Sequence, residues 1–322
     1  MAPVLGNMEG SNVDKQTLAS EIRELKKQRN AVILAHYYTS PEVQDAADYV
    51  GDSFGLSKMA AELDCDTLVF CGVRFMGESA KLLSPEKTVL LPAPEADCPM
   101  AHMVEDGFIE RLRETYDDLA VVCYVNSTAR IKALSDVCVT SSNALAVVSS
   151  LPERTIAFVP DRHLGRYVAE MLPEKRFILN PGCCPVHDAM LAEEIKALKA
   201  QHPEAKVLVH PECNEAVMAL ADYAGSTAGI IDYAICDEAK EYIIGTVGGV
   251  LHQIERKTEG SGKRFFLPAT KPTCADMDLV TLENVRDCLA AGAGSVYEVA
   301  PAPDRDKVRA RASLVRMLEL SE

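Results

Sequence analysis

Cys98, Cys184 and Cys274 stand 86 and 90 residues apart, and each follows a short apolar run. The runs are Lys87-Thr88-Val89-Leu90-Leu91-Pro92, Lys175-Arg176-Phe177-Ile178-Leu179 and Lys263-Arg264-Phe265-Phe266-Leu267-Pro268. An interval of that length is one small domain, so the spacing predicts three similar domains, each delivering one thiolate to a shared centre. Thiolates select soft centres, zinc or iron–sulfur. Closed zinc sites draw on locally paired cysteines; here the one adjacent pair, Cys183-Cys184, is too close to serve as a knuckle. Three thiolates without a nearby fourth suit an iron–sulfur cluster with one iron left open for substrate. Cys183 and Cys184 compete for one ligand role, and Cys98-Pro99-Met100-Ala101-His102 resembles Cys184-Pro185-Val186-His187, which favours Cys184. Cys213 is a further rival, but it belongs to another polar cluster of its third of the chain.

Two more polar clusters recur in each third. The first ends the opening strand: His36-Tyr37-Tyr38, then Tyr124-Val125-Asn126, then His210-Pro211-Glu212. From it to the cysteine the distances are 62, 58 and 64 residues, counted from His36, Asn126 and His210. Adjacent residues of an extended segment face opposite ways, so either Tyr37 or Tyr38 points inward, whereas His210 and Glu212, two apart, face the same side. A carboxylate and imidazoles in one dry cavity suit proton transfer, which makes Glu212, His210, His36 and Tyr38 the candidate acid–base groups. The second cluster places a hydroxyl at an expected helix start: Ser53, Ser141 or Ser142, and Ser226 with Thr227. Helix N-termini bind phosphate or carboxylate through free N–H groups. Each serine taken singly reads as an ordinary N-cap; three at equivalent positions favour an anion-binding pocket.

These clusters need elements to hold them. An amphipathic helix is expected over Asp14 to Arg29, with Leu18, Ile22 and Leu25 on one face and a frayed segment before it. Short β-rich runs then alternate with helical stretches, the pattern of α/β units with parallel sheets. The expected strands are Ala31–Ala35, Tyr49–Val50, Thr67–Val73 and Thr88–Leu91; then Val121–Tyr124, Val137–Val139, Thr155–Val159 and Arg176–Leu179; then Val207–Val209, Tyr223–Ala224, Tyr242–Ile244 and Arg264–Leu267. In open α/β sheets ligands sit at the carboxyl ends of the strands, where all of these clusters fall. The expected architecture is three α/β/α parallel-sheet domains about a pseudo-threefold axis: a flexible segment 1–13, then units 14–102, 103–187 and 188–322, the last carrying the C-terminal helices.

The bulk numbers narrow the function. A net charge of −15 argues against nucleic acid and anionic membrane surfaces. No apolar run approaches a membrane span and no basic-then-apolar leader opens the chain, so a cytoplasmic location is expected. Eleven cysteines, odd in number and without compact disulfide spacing, point to a reducing compartment.

Taken together these motifs resemble the iron–sulfur quinolinate synthases. His36-Tyr37-Tyr38 with Pro41-Glu42-Val43-Gln44-Asp45 and Gly51-Asp52-Ser53 looks like that family's opening motif. Tyr124-Val125-Asn126-Ser127, Thr140-Ser141-Ser142-Asn143-Ala144, Pro160-Asp161-Arg162-His163-Leu164-Gly165, Cys184-Pro185-Val186-His187, His210-Pro211-Glu212-Cys213 and Gly225-Ser226-Thr227 follow in its order. The resemblance implies a 4Fe–4S cluster on Cys98, Cys184 and Cys274. It also implies condensation of iminoaspartate with dihydroxyacetone phosphate to quinolinate in NAD biosynthesis, with functional coupling to an enzyme that produces iminoaspartate. Carried over by position, Glu212 is the general acid/base, with Tyr38, His36 and His210 shuttling protons. Tyr124, Asn126, Ser53, Ser141, Ser226, Thr227 and His187 hold phosphate and carboxylates. One departure stands out: the family usually has an acidic residue after Gly-Thr, where this chain has Val247 after Gly245-Thr246. The alternatives are an iron–sulfur hydro-lyase for another small anionic acid, and a metal-holding structural or sensor protein.

Overall fold

Twelve short strands among the described residues form three separate four-stranded sheets, every pairing parallel. The computed structural model describes residues 8–321, and side chains from residue 16 onward. The first sheet holds β1 (Ala31–His36), β2 (Tyr49–Gly51), β3 (Thr67–Cys71) and β4 (Thr88–Leu90). The second holds β5 (Leu119–Tyr124), β6 (Val137–Val139), β7 (Thr155–Val159) and β8 (Arg176–Leu179). The third holds β9 (Lys206–Val209), β10 (Tyr223–Ala224), β11 (Glu241–Gly245) and β12 (Arg264–Phe266). In each the spatial order is second, first, third, fourth. Parallel strands need crossover connections, which cover both sheet faces. The central strands β3, β5 and β7 are accordingly buried along their whole length.

The repeat extends to register. Ala31 pairs with Thr67, Leu119 with Thr155 and Lys206 with Tyr242; Leu34 pairs with Tyr49, Val122 with Val137 and Leu208 with Tyr223. The offset is the same in all three sheets for both pairings. One device fixes it. An aspartate just before the second strand accepts a backbone N–H of the first: Asp48 from Ile33 at 2.8 Å, Asp136 from Val121 at 2.7 Å, Asp222 from Val207 at 2.8 Å. Ser40, Thr128 and Asn214 likewise cap the helix after each opening strand, accepting the N–H of Val43, Ile131 and Val217. Each opening strand is thereby stopped at the same point, and its polar tail leaves the sheet at the carboxyl edge.

Two expectations about the ends change. Helix α1 begins at Met8 and runs to Gln28, so part of the segment expected to be frayed is helical, while residues 1–7 lie outside the described residues. Leu18 and Ile22 are buried and Leu25 packs beside them, as the periodicity requires. The C-terminal helices, α15 (Leu282–Ala291) and α16 (Asp304–Glu319), were expected with the third unit but pack elsewhere. Helix α15 lies on α1, and α16 on β6, α6 (Ala129–Leu134) and α4 (Arg74–Leu83). Ala310, Leu314 and Met317 of α16 join one continuous core with the first and second sheets, whereas the third sheet has its own two smaller clusters. The C-terminal segment thus ties the first two units together.

Candidate active site and metal centre

The carboxyl ends of all three sheets open onto one cavity of about 290 Å³. Its wall includes Cys98, Cys184 and Cys274, together with His36, Tyr38, Ser53, Tyr124, Asn126, Ser141, His187, His210, Glu212 and Thr227. Of the residues given a site role from the sequence, Ser226 is absent from this wall, as are the rival candidates Tyr37, Ser142, Cys183 and Cys213.

The three cysteines occupy equivalent backbone positions. Each is the residue before a short helical turn: Pro99–His102, α9 (Pro185–Asp188) and α14 (Ala275–Asp278). Their φ, ψ values are −92°, 115°; −72°, 117°; and −102°, 106°. The loop to each is pinned by the same bond two residues earlier: Arg74 N to Ala96 O at 2.9 Å, Arg162 N to Gly182 O at 2.8 Å, and Gly248 N to Pro272 O at 2.9 Å. Backbone N–H groups two and three residues on lie against each sulfur, from Met100 and Ala101, Val186 and His187, and Asp276 and Met277. Such donors stabilise a thiolate. Without a cation the thiols are the protonated form: burial first, then for Cys98 and Cys184 the Glu212 charge, pushes Cys98 up to about 12 and Cys184 well up, and burial raises Cys274. Bound cations invert that preference.

The donor set discriminates between centres. Among the described residues, two groups of three ligand atoms lie within 4.8 Å of one another: Cys184, His187 and Glu212, and His163, Cys183 and Asp188. The three cavity cysteines are not such a group. A tetrahedral ion with sulfur ligands at about 2.3 Å needs sulfurs about 3.8 Å apart, so the cysteine triad as it stands, with at least one pair beyond 4.8 Å, does not fit one zinc ion. Cys183 is separate from the triad, beside Asp188, which Arg162 and His163 also hold at 2.8 and 2.6 Å.

Two of the acid–base groups, Glu212 and Tyr38, belong to one hydrogen-bonded chain. Glu212 Oε1 accepts from the Tyr124 hydroxyl at 2.5 Å, and Oε2 lies 2.8 Å from His187 Nδ1. His187 Nε2 meets Thr246 Oγ1 at 2.9 Å; Tyr38 Oη lies 2.8 Å from Thr246 Oγ1 and 3.0 Å from Thr227 Oγ1. All three repeats contribute. Burial pushes the Glu212 carboxyl up, but His210, protonated in the acid range where Glu212 titrates, and hydrogen bonds from His187 and Tyr124 more than reverse this and hold it below the ordinary carboxylate range. Burial, with the Glu212 charge second, raises Tyr38 and Tyr124 well above the usual phenol value, so both remain hydroxyl donors. Burial lowers His36 to about 3 and His210 to about 4, against the opposing charge of Glu212. Each of these two rings accepts a local N–H on Nδ1, from Tyr38 at 3.1 Å and from Glu212 at 3.3 Å. Both are therefore neutral with the proton on Nε2, and His210 Nε2 meets Ser141 Oγ at 3.1 Å.

The hydroxyl clusters divide. Asp52, rather than Ser53, caps α3 (Ser53–Glu62) through the Gly55 N–H, leaving Ser53 on the cavity wall. Ser142 donates to Asp52 Oδ2 at 2.5 Å, which ties the second repeat to the first and leaves Ser141 facing His210. Ser226 caps α12 (Thr227–Cys236), accepting the Gly229 N–H at 3.1 Å, so the ordinary capping reading holds for it, while Thr227 faces the cavity. Asn126 Oδ1 is a buried atom with no partner, the only such side-chain atom on the cavity wall among the described residues. An unpaired buried polar group is costly, and a substrate donor removes that cost, as does a flipped amide facing an acceptor.

Sequence reasoning passed over Thr246 and Asp161, both fully buried. Asp161 Oδ1 caps α8 (Arg162–Met171) and Oδ2 accepts the Cys184 N–H at 3.1 Å. The repeat was the available signal: Val73, Asp161 and Val247 occupy equivalent positions, each just before a residue whose N–H pins a cysteine loop.

Residues 20–319 match the model of the family described as quinolinate synthetase A protein. The chain belongs to that family. It is 46% identical over 305 residues to the quinolinate synthase of Clostridioides difficile, covering 95% of this chain and 98% of that one. It is 47% identical to the Geobacter metallireducens quinolinate synthase, covering 94% and 98%, and 46% identical to quinolinate synthase 2 of Methanosarcina acetivorans, covering 97% and 98%. No helix among the described residues is long and apolar enough to cross a membrane.

Proposed function

We propose that this enzyme is a quinolinate synthase that condenses iminoaspartate with dihydroxyacetone phosphate, with loss of phosphate and water, in de novo NAD biosynthesis. One observation carries the reading: a single cavity joins three equivalent cysteines too widely spaced for one ion to a hydrogen-bonded chain that ends on a buried carboxylate. Cys98, Cys184 and Cys274 would hold a 4Fe–4S cluster, which when bound supplies a Lewis-acidic iron without a protein ligand.

The chain's own residues do the rest. Glu212, deprotonated and held by Tyr124 and His187, is the base that takes a proton from a bound substrate and returns it. Tyr38 and His36 face the cavity from the first repeat, and from the third His210 does, its Nε2–H directed to Ser141 Oγ. Asn126, Ser53, Ser141 and Thr227 offer neutral polar groups to phosphate and carboxylates. The burial of these groups excludes water, which strengthens each contact and protects an imine from hydrolysis. That lability favours coupling to an enzyme that makes iminoaspartate. The unit boundaries proposed from the sequence, 14–102, 103–187 and 188–322, each enclose one sheet. Eleven free cysteines fit a reducing, cytoplasmic setting.

The test is anaerobic purification with an absorption spectrum and iron and sulfide counts, then a quinolinate assay with both substrates. About four irons and four sulfides per chain with quinolinate formation are expected for the cluster described. Full cluster without quinolinate, but with dehydration of another small acid, would point to a hydro-lyase.

A further inference from the structure

Lys132 of α6 is fully buried, and its ammonium meets carbonyls and an aromatic ring rather than a carboxylate. It donates to Val125 O at 2.8 Å and to Ser127 O, and lies 5.5 Å from the centre of the Phe75 ring. Those carbonyls flank Asn126, the wall residue whose Oδ1 has no partner among the described residues. The arrangement recurs in the first unit. Tyr38 and Asn126 each stand two residues before the cap of the next helix, and Gln44 and Lys132 each stand four after it. Gln44 Nε2 donates to Tyr37 O at 3.0 Å and Thr39 O at 2.8 Å, the carbonyls on either side of Tyr38. The third unit has Met218 there, a side chain with no hydrogen to donate, and Tyr124 and His187 hold the Glu212 side chain instead. Burying an ammonium is costly, and here the cost is offset by charge-assisted bonds to one short stretch of backbone.

We infer that Lys132 is a positioning residue: by gripping the backbone on both sides of Asn126, it holds that amide in place for substrate. A strand end pinned on each side cannot turn to pair the amide within the protein. Oδ1 therefore stays available to a substrate donor, and the ordering is complete before substrate arrives. This rests on the quinolinate synthase reading for its kinetics, though not for its geometry. The repeats themselves supply the variants. Lys132→Gln installs the first unit's clamp without the charge; Lys132→Met installs the third unit's residue, keeping the stem and removing the donor.

The experiment compares cluster-loaded wild type, Lys132→Met, Lys132→Gln, Asn126→Ala and the Lys132→Met/Asn126→Ala double variant under anaerobic conditions. Lys132→Met should raise KM about tenfold, the worth of one hydrogen bond to substrate, for the same substrate whose KM Asn126→Ala raises. The loss is one of uniform binding, so kcat should stay within about threefold. Iron content and Tm should be close to wild type, and Lys132→Gln should recover most of the wild-type KM. In the double variant, Lys132→Met should add less than about twofold to the effect of Asn126→Ala, because the contact it serves is already gone. The inference is overturned if Lys132→Met keeps the wild-type KM, or if the two effects multiply in the double variant. Equal impairment of Lys132→Gln and Lys132→Met would overturn it by making the charge, not the clamp, what matters. A Lys132→Met protein that loses iron or melts far below wild type would make Lys132 a plain core support and overturn it too. A wild-type protein that makes no quinolinate would instead sink the activity reading. Crystal structures would then decide, with Asn126 displaced in Lys132→Met and in place in Lys132→Gln if the inference holds, and unmoved in both if it fails.

Discussion

Replacing Glu212 with glutamine separates the chemistry of the carboxylate from its place in the structure. Two donors converge on it, the Tyr124 hydroxyl at 2.5 Å and His187 Nδ1 at 2.8 Å. A carboxamide keeps one acceptor oxygen and turns its NH₂ toward the other donor. Tyr124 can answer by rotating its hydrogen away and accepting, so one charge-assisted hydrogen bond is lost, at about 1.5–3 kcal/mol. The shape and the sulfur ligands are untouched. A general acid–base group contributes about 10²–10⁴-fold, which at 1.36 kcal/mol per decade raises the barrier by about 2.7–5.4 kcal/mol. The two losses are read by different instruments: the first by Tm and substrate binding, the second by kcat. Glu212→Gln should retain a full complement of iron and sulfide, bind both substrates in anaerobic calorimetry, and form quinolinate at least about a hundredfold more slowly. Loss of the cluster would make Glu212 a structural or ligand residue and refute the reasoning. Near-normal turnover would move proton transfer to Tyr38 or His36.

Cys98→Ser, Cys184→Ser and Cys274→Ser should each abolish cluster retention, while Cys183→Ser, altering a side chain bound up with Asp188, should keep it; iron and sulfide counts decide. Asp161→Asn keeps the cap on α8 but turns an NH₂ toward the Cys184 N–H; the cluster should be lost faster under a mild chelator than in wild type, and an unchanged release rate would refute the clamp. Asn126→Ala should raise KM, whereas Ser226→Ala should leave KM near normal and cost about 1 kcal/mol in stability through the lost cap; the reverse pattern, by kinetics and thermal melting, would exchange their roles. His36 and His210 have native values near 3 and 4, below the ordinary 6.5, so the unfolded chain binds their protons first. Each therefore supports the fold above about pH 6.5 and loses that support as pH falls toward its native value, by up to about 1.4 kcal/mol per pH unit. Denaturation of His36→Asn against pH should show a shallower acid slope, and an unchanged slope would refute the buried neutral assignment.

The cysteine triad and the strand-end clusters were legible because a repeated scaffold sets equal spacings in the chain, and parallel sheets put every such cluster at the same edge. The strands were legible for a related reason: buried on both faces, they read as unbroken apolar runs. Ser53 and Ser226 both sit at helix starts, yet only Ser226 is a cap, since Asp52 precedes Ser53 and has the carboxylate that accepts the Gly55 N–H. The register device escaped notice because Asp48, Asp136 and Asp222 look like ordinary loop acids until their N–H partners are known. The bonds from Tyr38 to Thr246 and from Asp52 to Ser142 join residues far apart in the chain. They depend on how the sheets face one another, which no local pattern encodes. The C-terminal helices failed similarly: an apolar stripe shows that α16 must be covered, without showing by which unit.

The repeat also explains a division of labour. The backbone is threefold where the cysteines sit, since the same pinning bond and the same turn recur in each unit. Thiolates so placed would hold the proposed cluster at three of its irons, one from each unit. The strand ends are not threefold: the first gives His36 and Tyr38, the second Tyr124 and Asn126, the third His210 and Glu212. The cavity therefore has a different wall on each side, one with a carboxylate, one with an unpaired amide, one with a phenol. The residues before the pinned loops diverge in the same way. Val73 and Val247 are apolar and face the cavity, while Asp161 turns away to hold Cys184. Val247 thus leaves the third unit like the first. It also leaves Glu212 as the carboxylate through which the hydrogen-bonded chain acts.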